Sequence, residues 1–470
     1  MFEETVLLLN NNYEEMEQYA SRGLYMFKRK AFEKLKYWKE KKAPKYSVLL
    51  EGARRVGKST IAEEFAKKEY RSYIKVDFAN ITQGVLDVFD DIANLDIFFL
   101  RLQTVTGVTL YKRESVIIFD EIQLMPKVRQ AIKYLVADGR YDYIETGSLI
   151  SIKKNVKDIV LPSEEMKIQI YPMDYEEFMW AIGNDTYNVL RELYKLGKPV
   201  GNSLNRKLMR DFRIYMAVGG MPQAIEAYVE GRNFIEIDEV KREIIALYKD
   251  DFFKIDGTGL IGRMYDSVPA QLATNKRSYI ISAATGKKKI DKDLERLHDL
   301  LDSKTVLPCY NVLNPSIALP QTRVDDTFKL YLADTGLFTT MIFKSSGQTN
   351  ENIYTKLLSD SLPADLGYLY ENAVSQIIAA SDIDLYYHTW EKKNSSHYYE
   401  VDFLLASKTK IVPVEVKSSG IGKHESIMEF QKKYSKYVVK EILLSQKDIG
   451  NVEMLKLYPI YMLPFIIEDL

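Results

Sequence analysis

The chain has 470 residues, of which 46% are hydrophobic and 28% are charged, and its formal net charge is −1. This length allows several domains, and this composition excludes a largely disordered chain. The near-zero net charge gives no whole-protein argument for a nucleic acid or membrane partner, so any such surface must be local.

The cysteine, histidine and hydropathy patterns exclude further classes. A single cysteine excludes an intramolecular disulfide framework, and four histidines without a Cys/His cluster argue against structural zinc. The N-terminus carries acids where a signal peptide needs bases, and no apolar stretch reaches the roughly 20 residues that span a bilayer. We therefore expect a cytoplasmic protein with no membrane partner.

Residues 1–45 are predicted to form an N-terminal helical segment. Within it, the run FKRKAFEKLKYWKEKK at 27–42 is basic. A solvated helix face explains this run at least as well as a nucleic acid contact does.

The clearest motif is EGARRVGKST, which supplies Gly52, Gly57, Lys58 and Ser59 at G-x-x-x-x-G-K-[ST] spacing. YSVLLE before it is typical of a buried strand, and TIAEEFAKKEY after it is typical of a helix. Such a loop turns backbone N–H groups around phosphate oxygens, while its lysine reaches the terminal phosphates and its hydroxyl contacts Mg²⁺. The predicted cofactors are therefore ATP and Mg²⁺. The predicted nucleotide-binding residues are Gly52, Arg55, Val56, Gly57, Lys58, Ser59, Thr60, Asp120 and Ser148.

A second acidic signal follows the apolar run in ESVIIFDEIQ, which predicts a central parallel strand ending at Asp120 and Glu121. Carboxylates at such a strand end lie where open α/β sheets bind ligands. Asp120 is expected to hold Mg²⁺, and Glu121 to orient or deprotonate the attacking water. Taken alone, the pair could also be an acidic helix cap.

The surrounding segments alternate between strand and helix patterns. SYIKVDFA and YDYIETGS predict strands, and LDVFDDIANLDIFFLRLQTV and KVRQAIKYLVADG predict helices. After the last strand, a hydroxyl in Thr146-Gly147-Ser148 could sense the γ-phosphate, although an ordinary turn explains the triplet equally well. Together these patterns predict an α/β nucleotide-binding domain over 46–185.

The set GARRVGKST, IIFDEIQ, ETGS, YPMDYEEF, GGMPQAI and KLYLADTGL resembles a large group of prokaryotic AAA-type ATPases with a C-terminal domain of uncharacterised function. The resemblance covers nearly the whole chain. It implies an α/β multidomain fold in which an AAA-type parallel sheet precedes a helical region (186–261), a winged helix-turn-helix (262–345) and a restriction-endonuclease-like α/β domain (346–470).

The arginines fit this resemblance less completely. The group's pattern has a Gly-Arg pair shortly before the Pro-Met-Asp-like stretch, whereas this chain reads SEEMKIQIYPM there, so no arginine finger is assigned. Arg54 and Arg55 lie inside the phosphate loop, where phosphate contact and solvent exposure are both open.

The middle of the chain is helical in pattern from about Thr186 to Asp256, with one strong break at VGGMPQ, 218–223. This turn could pack near the nucleotide or simply connect two helices.

Farther on, apolar residues recur at helical spacing in IDKDLERLHDLLDSK, which predicts a helix with its Asp, Lys, Arg and His side chains outward. The predicted buried stripe is Ile290, Leu294, Leu297 and Leu301. The strand-like VLPCYNV that follows is compatible with a wing. Basic residues that could contact DNA phosphates are Lys276, Arg277 and Lys287 to Lys289, whereas Asp291, Asp293 and Glu295 favour a spacer role.

The C-terminal part combines a predicted helix, LGYLYENAVSQIIAA, with the strands DLYYHTW, YYEVDFLLAS and KIVPVEVKSS. The helix carries Glu371 and the strands carry Asp402, Glu415 and Lys417. Because side chains alternate along a strand, Glu415 and Lys417 share one face. Nuclease folds of the restriction-endonuclease type use such carboxylates for Mg²⁺ and such a lysine to position or activate water. An exposed Glu–Lys ladder would give the same letters.

The leading functional hypothesis is an Mg²⁺-dependent ATPase whose nucleotide state controls a nuclease-like, nucleic-acid-directed C-terminal domain. Its predicted catalytic residues are Lys58, Glu121 and Lys417, and its predicted metal ligands are Ser59, Asp120, Glu371, Asp402 and Glu415. DNA and further copies of the chain are the expected partners. The alternative is an ATP-dependent signalling or scaffold switch with a catalytically silent C-terminal domain and protein partners. A small-molecule kinase has less support, because no acceptor site is recognisable.

Overall fold

The computed structural model describes residues 26–147, 162–184, 186–274, 277–286, 290–316, 318–343, 354, 357–359, 367–393, 395–418 and 420–470. In its first half, the helices are α1 (Ala31–Lys41), α2 (Lys58–Glu69), α3 (Gln83–Leu86), α4 (Leu95–Thr106), α5 (Pro126–Asp138), α6 (Tyr175–Ala181), α7 (Tyr187–Lys195), α8 (Asn202–Val218) and α9 (Pro222–Val229). In its second half, they are α10 (Phe234–Ile255), α11 (Leu260–Ala273), α12 (Ile281–Thr285), α13 (Asp291–Asp302), α14 (Thr335–Ile342), α15 (Gly367–Ala380), α16 (Glu425–Tyr434) and α17 (Leu463–Glu468).

The strands of the same ranges form three sheets. The first contains β1 (Ser47–Glu51), β2 (Ser72–Asp77), β3 (Ser115–Asp120), β4 (Asp142–Gly147) and β5 (Glu165–Gln169). The second contains β6 (Val306–Val312), β7 (Arg323–Leu332), β8 (Leu385–Glu391) and β9 (Tyr398–Val401). The third contains β10 (Phe403–Ser407), β11 (Lys410–Val416), β12 (Ile442–Ser445), β13 (Gly450–Val452) and β14 (Leu455–Pro459).

The first sheet is parallel throughout, with the strand order β2-β3-β4-β1-β5. Its central strands β3 and β4 are buried along their whole length, as expected when helices cover both faces. On one face α4 and α5 contribute Phe98 and Ile132 to the core, and on the other α1 and α2 contribute Trp38 and Phe65. The predicted parallel α/β sheet is therefore confirmed.

One local prediction in this region is wrong and one strand was not predicted. The predicted long helix LDVFDDIANLDIFFLRLQTV is divided: its first residue, Leu86, ends α3, a short 3-10 segment follows at Asp87–Asp91, and α4 is separate. Asn94 begins α4 by accepting a hydrogen bond from the N–H of Ile97, so the chain starts a new helix there. The segment EMKIQ was not predicted as a strand, yet it forms β5, which pairs with β1 at the sheet edge.

The helical region contains the predicted break at VGGMPQ. Helix α8 ends at Val218 and α9 begins at Pro222, where proline occupies the first helical turn and its missing N–H costs nothing. Two further breaks, which the sequence did not indicate strongly, separate α7 from α8 and α9 from α10.

Helix α13 buries a face that matches the predicted one only in part. Ile290 at its start is 57% exposed, whereas Asp293 and Arg296 are buried together with Leu297 and Leu300. The Arg296 guanidinium lies 2.8 Å from the Asp293 carboxylate and 3.0 Å from that of Asp256, so an ion network turns this face inward. The prediction that the charged side chains of this helix all face outward is therefore wrong.

The second sheet joins segments far apart in sequence. Strands β6 and β7 form an antiparallel pair, and β6 also pairs in parallel with β8, giving the order β7-β6-β8-β9. The predicted boundary between residues 345 and 346 thus separates two segments that share one sheet. The predicted strand YYEVDFLLAS is divided at Asp402 into β9 and β10, and β10 forms an antiparallel pair with the predicted strand β11, in which Ser407 faces Lys410.

The apolar core is continuous across these parts. One cluster of buried side chains includes Trp38 of α1, Tyr215 of α8, Tyr331 of β7, Tyr370 of α15 and Tyr461 near the C-terminus. No helix in the described part of the chain combines the length and apolar character needed to cross a bilayer.

Candidate nucleotide site and C-terminal cluster

The loop between β1 and α2 has the backbone conformation that its glycines allow. A Cβ atom at Gly52 would lie 2.2 Å from the carbonyl oxygen of Ile170, so no larger residue fits there. Gly57 has φ +94°, a left-handed conformation that favours glycine, and it directly precedes Lys58, the first residue of α2. The loop therefore leads into a helix N-terminus, where N–H groups and the helix dipole favour an anion.

Lys58 is buried inside this loop. Its Nζ donates to the carbonyl oxygens of Gly52 at 3.1 Å and Ala53 at 2.9 Å. Burial lowers the pKa of the Lys58 ammonium to about 8, against the opposing charges of Glu121 and Asp120. A buried cation held by neutral carbonyls is well placed to exchange them for phosphate oxygens.

Ser59 and Asp120 meet at the carboxyl ends of the strands. The Ser59 hydroxyl donates to Asp120 Oδ1 at 2.6 Å, and the Thr146 hydroxyl donates to the same oxygen. Lys75 Nζ lies 3.5 Å from Asp120 Oδ2. The hydroxyl and carboxylate predicted to share a magnesium ion are therefore adjacent.

Glu121 adopts φ +56°, a left-handed conformation that non-glycine residues rarely take and that clusters at functional sites. Its backbone N–H donates to Thr146 Oγ1 at 3.2 Å, and its carboxylate accepts a hydrogen bond from Gln123. Thr146 thus touches both acidic residues, although only its neighbour Ser148 was selected from the sequence. The Thr-Gly-Ser triplet was the available signal.

The remaining predicted loop residues differ in placement. Val56 is fully buried and its carbonyl accepts a hydrogen bond from Arg29 Nη1 at 2.9 Å, whereas Arg55 and Thr60 are exposed. Arg54 forms an ion pair with Asp251 of α10, with 3.1 Å between Arg54 Nη1 and Asp251 Oδ1. Ser148 lies outside the described residues.

The VGGMPQ turn connects α8 to α9 and also packs against the phosphate loop. A Cβ atom at Gly57 would be 3.6 Å from Pro222 Cγ, and the Tyr248 hydroxyl of α10 donates to the Arg54 carbonyl at 2.9 Å. The helical region therefore forms one wall of the loop.

These residues fit Mg²⁺ and ATP. The oxygen atoms of Ser59 and Asp120 are hard donors of the kind that Mg²⁺ prefers. They lie beside the phosphate loop and the buried Lys58, which suit the phosphates that carry the ion. Bound Mg²⁺·ATP would supply the phosphoryl group, while the chain supplies the phosphate loop and the carboxylate of Glu121.

At the other end of the chain, we define the C-terminal cluster as Glu371, Asp402, Glu415 and Lys417. Asp402 lies between β9 and β10, is 8% exposed, and accepts the Val416 N–H at 2.7 Å. Glu415 on β11 is 5% exposed, and its Oε1 accepts from Lys417 Nζ at 2.6 Å. The exposed Glu–Lys ladder that the sequence left open is therefore wrong for Glu415.

The charges in this cluster influence one another's pKa values. Burial raises the pKa of the Asp402 carboxyl well above its ordinary value, and the charges of Glu415 and Glu371 raise it further, while Lys417 opposes the rise. Burial likewise raises the pKa of Glu415, against the effect of Lys417. Glu371 on α15 accepts a hydrogen bond from the Tyr331 hydroxyl at 3.1 Å.

The predicted metal ligands Glu371, Asp402 and Glu415 do not form a ligand set as they stand. Within the described ranges, no group of three or more His, Cys, Asp or Glu side chains is arranged to hold a metal ion. Their carboxylate chemistry suits Mg²⁺, but Lys417 already pairs with Glu415. Sequence reasoning also missed Lys329, whose Nζ lies 2.5 Å from Glu400 Oε1.

Three family models match successive parts of the chain. Residues 44–179 match "AAA domain". Residues 44–179 form an AAA domain. Beyond it, residues 209–348 match a domain of unknown function, DUF8612, and residues 366–460 match another, DUF4143. The AAA match covers the phosphate loop, the Asp120–Glu121 pair and all five strands of the parallel sheet.

Comparison with curated proteins finds none that matches the chain. Among solved structures, the Orc1 protein of Aeropyrum pernix in complex with DNA is 14% identical, with 72% of this chain and 93% of that chain covered at a TM-score of 0.27. Cdc6p from Pyrobaculum aerophilum is 12% identical, with 72% and 97% covered at a TM-score of 0.22. A signal transduction ATPase with numerous domains from Pyrococcus horikoshii is 11% identical, with 76% and 50% covered at a TM-score of 0.27. TM-scores this low support no argument about the arrangement or role of the whole chain.

Proposed function

We propose that the chain is an Mg²⁺-dependent ATPase whose nucleotide state controls the C-terminal cluster, and that this cluster acts on or binds nucleic acid. The observation that carries the proposal is the meeting of the buried Lys58, the Ser59–Asp120 contact and the strained Glu121 at one edge of the parallel sheet. Phosphoryl transfer depends on this kind of positioning and charge stabilisation rather than on covalent help from the protein.

The AAA domain residues have distinct roles in this proposal. Lys58 and the loop N–H groups bind the phosphates, and Ser59 and Asp120 hold the magnesium ion. Glu121 orients or deprotonates water, because its carboxylate follows the strand end that carries Asp120. Thr146 holds both acidic residues in register through its hydroxyl.

The nucleic acid part of the proposal is supported by the C-terminal cluster and by the elements before it. Buried carboxylates next to a lysine match the donor types that metal-dependent nucleases use. Three helices, α11, α12 and α13, followed by the β6–β7 hairpin have the order of a winged helix-turn-helix. Of the basic residues named for DNA contact, Arg277 is exposed, and its guanidinium lies over the Tyr398 ring of β9; Lys276 and Lys287 to Lys289 lie outside the described residues.

ATP binding and hydrolysis are tested by Lys58→Ala and Glu121→Gln, with Lys67→Ala as the control. Lys67 is an exposed lysine of the same helix α2. We expect Lys58→Ala to weaken ATP binding at least about tenfold, because a phosphate contact and its charge are lost. Glu121→Gln should bind ATP and lose hydrolysis, and Lys67→Ala should resemble the wild type. Unchanged ATP affinity in Lys58→Ala would show that the loop does not serve nucleotide.

The C-terminal part is tested with DNA and Mg²⁺, in the presence and absence of ATP. Asp402→Ala and Glu415→Ala should abolish DNA cleavage, or, if the domain only binds, should change metal-dependent DNA binding. The affinity for DNA should fall steeply with salt, since phosphate contacts release counterions. Salt-insensitive assembly with a protein, and no effect of either variant on DNA, would instead support the signalling or scaffold switch.

A further inference from the structure

Arg29 contacts the phosphate loop, although it precedes the AAA domain match, which begins at residue 44. It is 7% exposed, and all three nitrogen atoms of its guanidinium donate hydrogen bonds. Nη1 donates to the Val56 carbonyl at 2.9 Å, Nη2 to the Tyr171 carbonyl at 2.7 Å, and Nε to Glu177 Oε1 at 3.2 Å. One buried arginine therefore joins the phosphate loop to the segment after β5 and to helix α6.

The surroundings of Arg29 hold its guanidinium in place. The Lys30 N–H donates to Glu177 Oε1 at 2.6 Å, and Lys30 Nζ lies 2.6 Å from Asp174 Oδ2. Asp174 and Glu177 also form the capping box at the start of α6. A guanidinium presents its donors in a rigid planar fork, so three fixed acceptors determine its orientation. Its hydrogen bond to Val56 is therefore imposed by the fold.

This hydrogen bond orients the peptide group between Val56 and Gly57. The described part of the chain contains no cis peptide bond, and in a planar trans peptide the carbonyl and the N–H point in opposite directions. Because the Val56 carbonyl points toward Arg29, the Gly57 N–H points away from it. Among the described residues, that N–H has no acceptor. A Cβ atom at Gly57 would lie 3.5 Å from Arg29 Nη1 and 3.6 Å from Pro222 Cγ, so the peptide is enclosed on two sides.

We propose that Arg29 is a positioning residue that orients the Gly57 N–H toward the nucleotide phosphates. The inference rests on the proposed ATP site. Arg29 does not touch phosphate itself; it holds the Val56 carbonyl oxygen away from the phosphate charges and thereby presents the N–H to them. A loop whose N–H groups are already oriented binds an anion more tightly than one that must first be ordered. Without Arg29 the peptide can rotate, and a carbonyl dipole facing the phosphates opposes binding.

The test titrates the full chain with Mg²⁺ and ATPγS, a slowly hydrolysed ATP analogue, by isothermal calorimetry. This experiment gives both the dissociation constant and the fraction of chains that bind. Arg29→Met removes the donor to Val56, and Arg29→Lys keeps the charge but lacks the fork. Arg129→Met is the matched control, because it removes another buried arginine of the AAA domain, whose guanidinium lies 3.0 Å from Glu165 and not at the phosphate loop. If Arg29→Met fails to fold by circular dichroism, the double variant Arg29→Met, Glu177→Gln replaces it, since it leaves no unpaired buried charge.

We expect the dissociation constant to rise at least about tenfold in Arg29→Met and at least about threefold in Arg29→Lys, with the binding fraction unchanged. Arg129→Met should keep its dissociation constant within about twofold of the wild type, because a general loss of structure lowers the binding fraction and not the affinity of the chains that bind.

Two results would overturn the inference and leave the ATP site intact. One is wild-type affinity in both Arg29 variants while Lys58→Ala binds weakly, and the other is an equal loss of affinity in Arg129→Met. If the wild-type chain fails to bind the analogue at all, the ATP site itself is refuted, and the role of Arg29 with it.

Discussion

The Thr146 hydroxyl forms hydrogen bonds with both Asp120 and Glu121 of the AAA domain. It is fully buried, donates to Asp120 Oδ1 and accepts from the Glu121 N–H at 3.2 Å. The hydroxyl thereby positions both the proposed magnesium ligand and the residue that prepares water. Its removal would take this acceptor from the Glu121 N–H and would leave Asp120 Oδ1 with the Ser59 hydroxyl but without the Thr146 hydroxyl.

Thr146→Val should lower the free energy of unfolding by about 1–3 kcal/mol, because a shape-matched methyl group cannot replace these hydrogen bonds. We also expect ATP turnover to fall roughly tenfold, because Glu121 would be misplaced. A tenfold loss corresponds to an activation barrier about 1.4 kcal/mol higher. Urea unfolding and steady-state ATPase assays measure the two effects. Thr104→Val is the control, because the Thr104 hydroxyl bonds only to the Leu100 carbonyl on the exposed side of α4. Equal effects of the two substitutions would contradict the role of Thr146.

His388 on β8 predicts a specific dependence of stability on pH. Burial lowers the pKa of its imidazole to about 4, a hydrogen bond with the Val312 carbonyl opposes this shift, and Lys433 favours it. Because the folded pKa lies below the unfolded value of about 6.5, the unfolded chain takes up the proton first as pH falls. The contribution of neutral His388 is complete above pH 6.5 and decreases between pH 6.5 and 4, by up to about 3 kcal/mol.

The measurement compares wild type and His388→Asn by urea unfolding from pH 7.5 to pH 4. The difference between their unfolding free energies should shrink toward pH 4, because only the wild type loses the contribution of the neutral ring. The exposed His397 provides the control, His397→Asn, which should track the wild type at every pH. If the difference in unfolding free energy between wild type and His388→Asn is the same at every pH, His388 is not the source of the pH dependence.

At the residue scale, the sequence predicted those side chains whose chemistry is carried by a short motif. Gly52, Gly57, Lys58 and Ser59 lie in one loop and the first turn of the helix that follows it. Asp120 and Glu121 lie 61 residues or more beyond Ser59 but reach the same place, because parallel strands end at one edge of the sheet. Thr146 was indicated only as part of the Thr-Gly-Ser triplet, and Lys329 was not indicated at all. No motif marks their partners, which lie 26 and 71 residues away on strands whose order local periodicity does not predict.

Between elements, a close backbone contact lies where the VGGMPQ turn meets the segment after β5. The Gly220 carbonyl accepts the Met173 N–H at 2.7 Å, and the Gly220 N–H donates to Asp334 Oδ2 at 2.6 Å. Gln376 of α15 donates to the Met173 carbonyl at 3.0 Å. Four segments, from the AAA domain to helix α15, therefore meet at one glycine.

Gly220→Ala should lower the unfolding free energy by more than about 3 kcal/mol, because its Cβ would lie 2.0 Å from the Met173 carbonyl oxygen and the backbone must move. Gly262→Ala in α11 is the matched control, since nothing lies within 4 Å of its added Cβ. Alanine should stabilise that helix by up to about 1 kcal/mol. Chemical unfolding of both variants measures the contrast, and a Gly220→Ala variant as stable as the wild type would show that the contact is loose.

Elements were predictable where hydrophobic periodicity was uniform and less so where polar networks decided the outcome. The buried run of β3 and the amphipathic pattern of α5 were both recognised. The orientation of α13 was not, because Arg296 pairs with Asp256, forty residues earlier, and this pairing outweighs the exposure of Ile290. The short edge strand β5 was missed because its pairing with β1, rather than its own pattern, makes it a strand.

Across the whole molecule, the continuous apolar core predicts cooperative behaviour. The same cluster contains side chains next to the phosphate loop and side chains of β10, β11 and β12. A part whose core is shared loses its own stability when its neighbour unfolds.

We therefore expect one main calorimetric unfolding transition, which Mg²⁺·ATP shifts as a whole. Ligand at one hundred times its dissociation constant adds about 2.7 kcal/mol to the stability of the unit that binds it. Differential scanning calorimetry with and without Mg²⁺·ATP measures this, with Lys58→Ala as the variant that should show a smaller shift at the same ligand concentration. Two separate transitions, of which only one responds to nucleotide, would show that the domains unfold independently.

The parallel pairing of β6 with β8 also bears on how such a chain can evolve. Strand β6 has β7 on one side and β8 on the other. A recombination event between residues 345 and 346 would leave β6 with an open hydrogen-bonding edge, which invites association with other chains. Exchange of the C-terminal part among relatives is therefore constrained to partners that supply a compatible β8, so we expect the two parts to be inherited together.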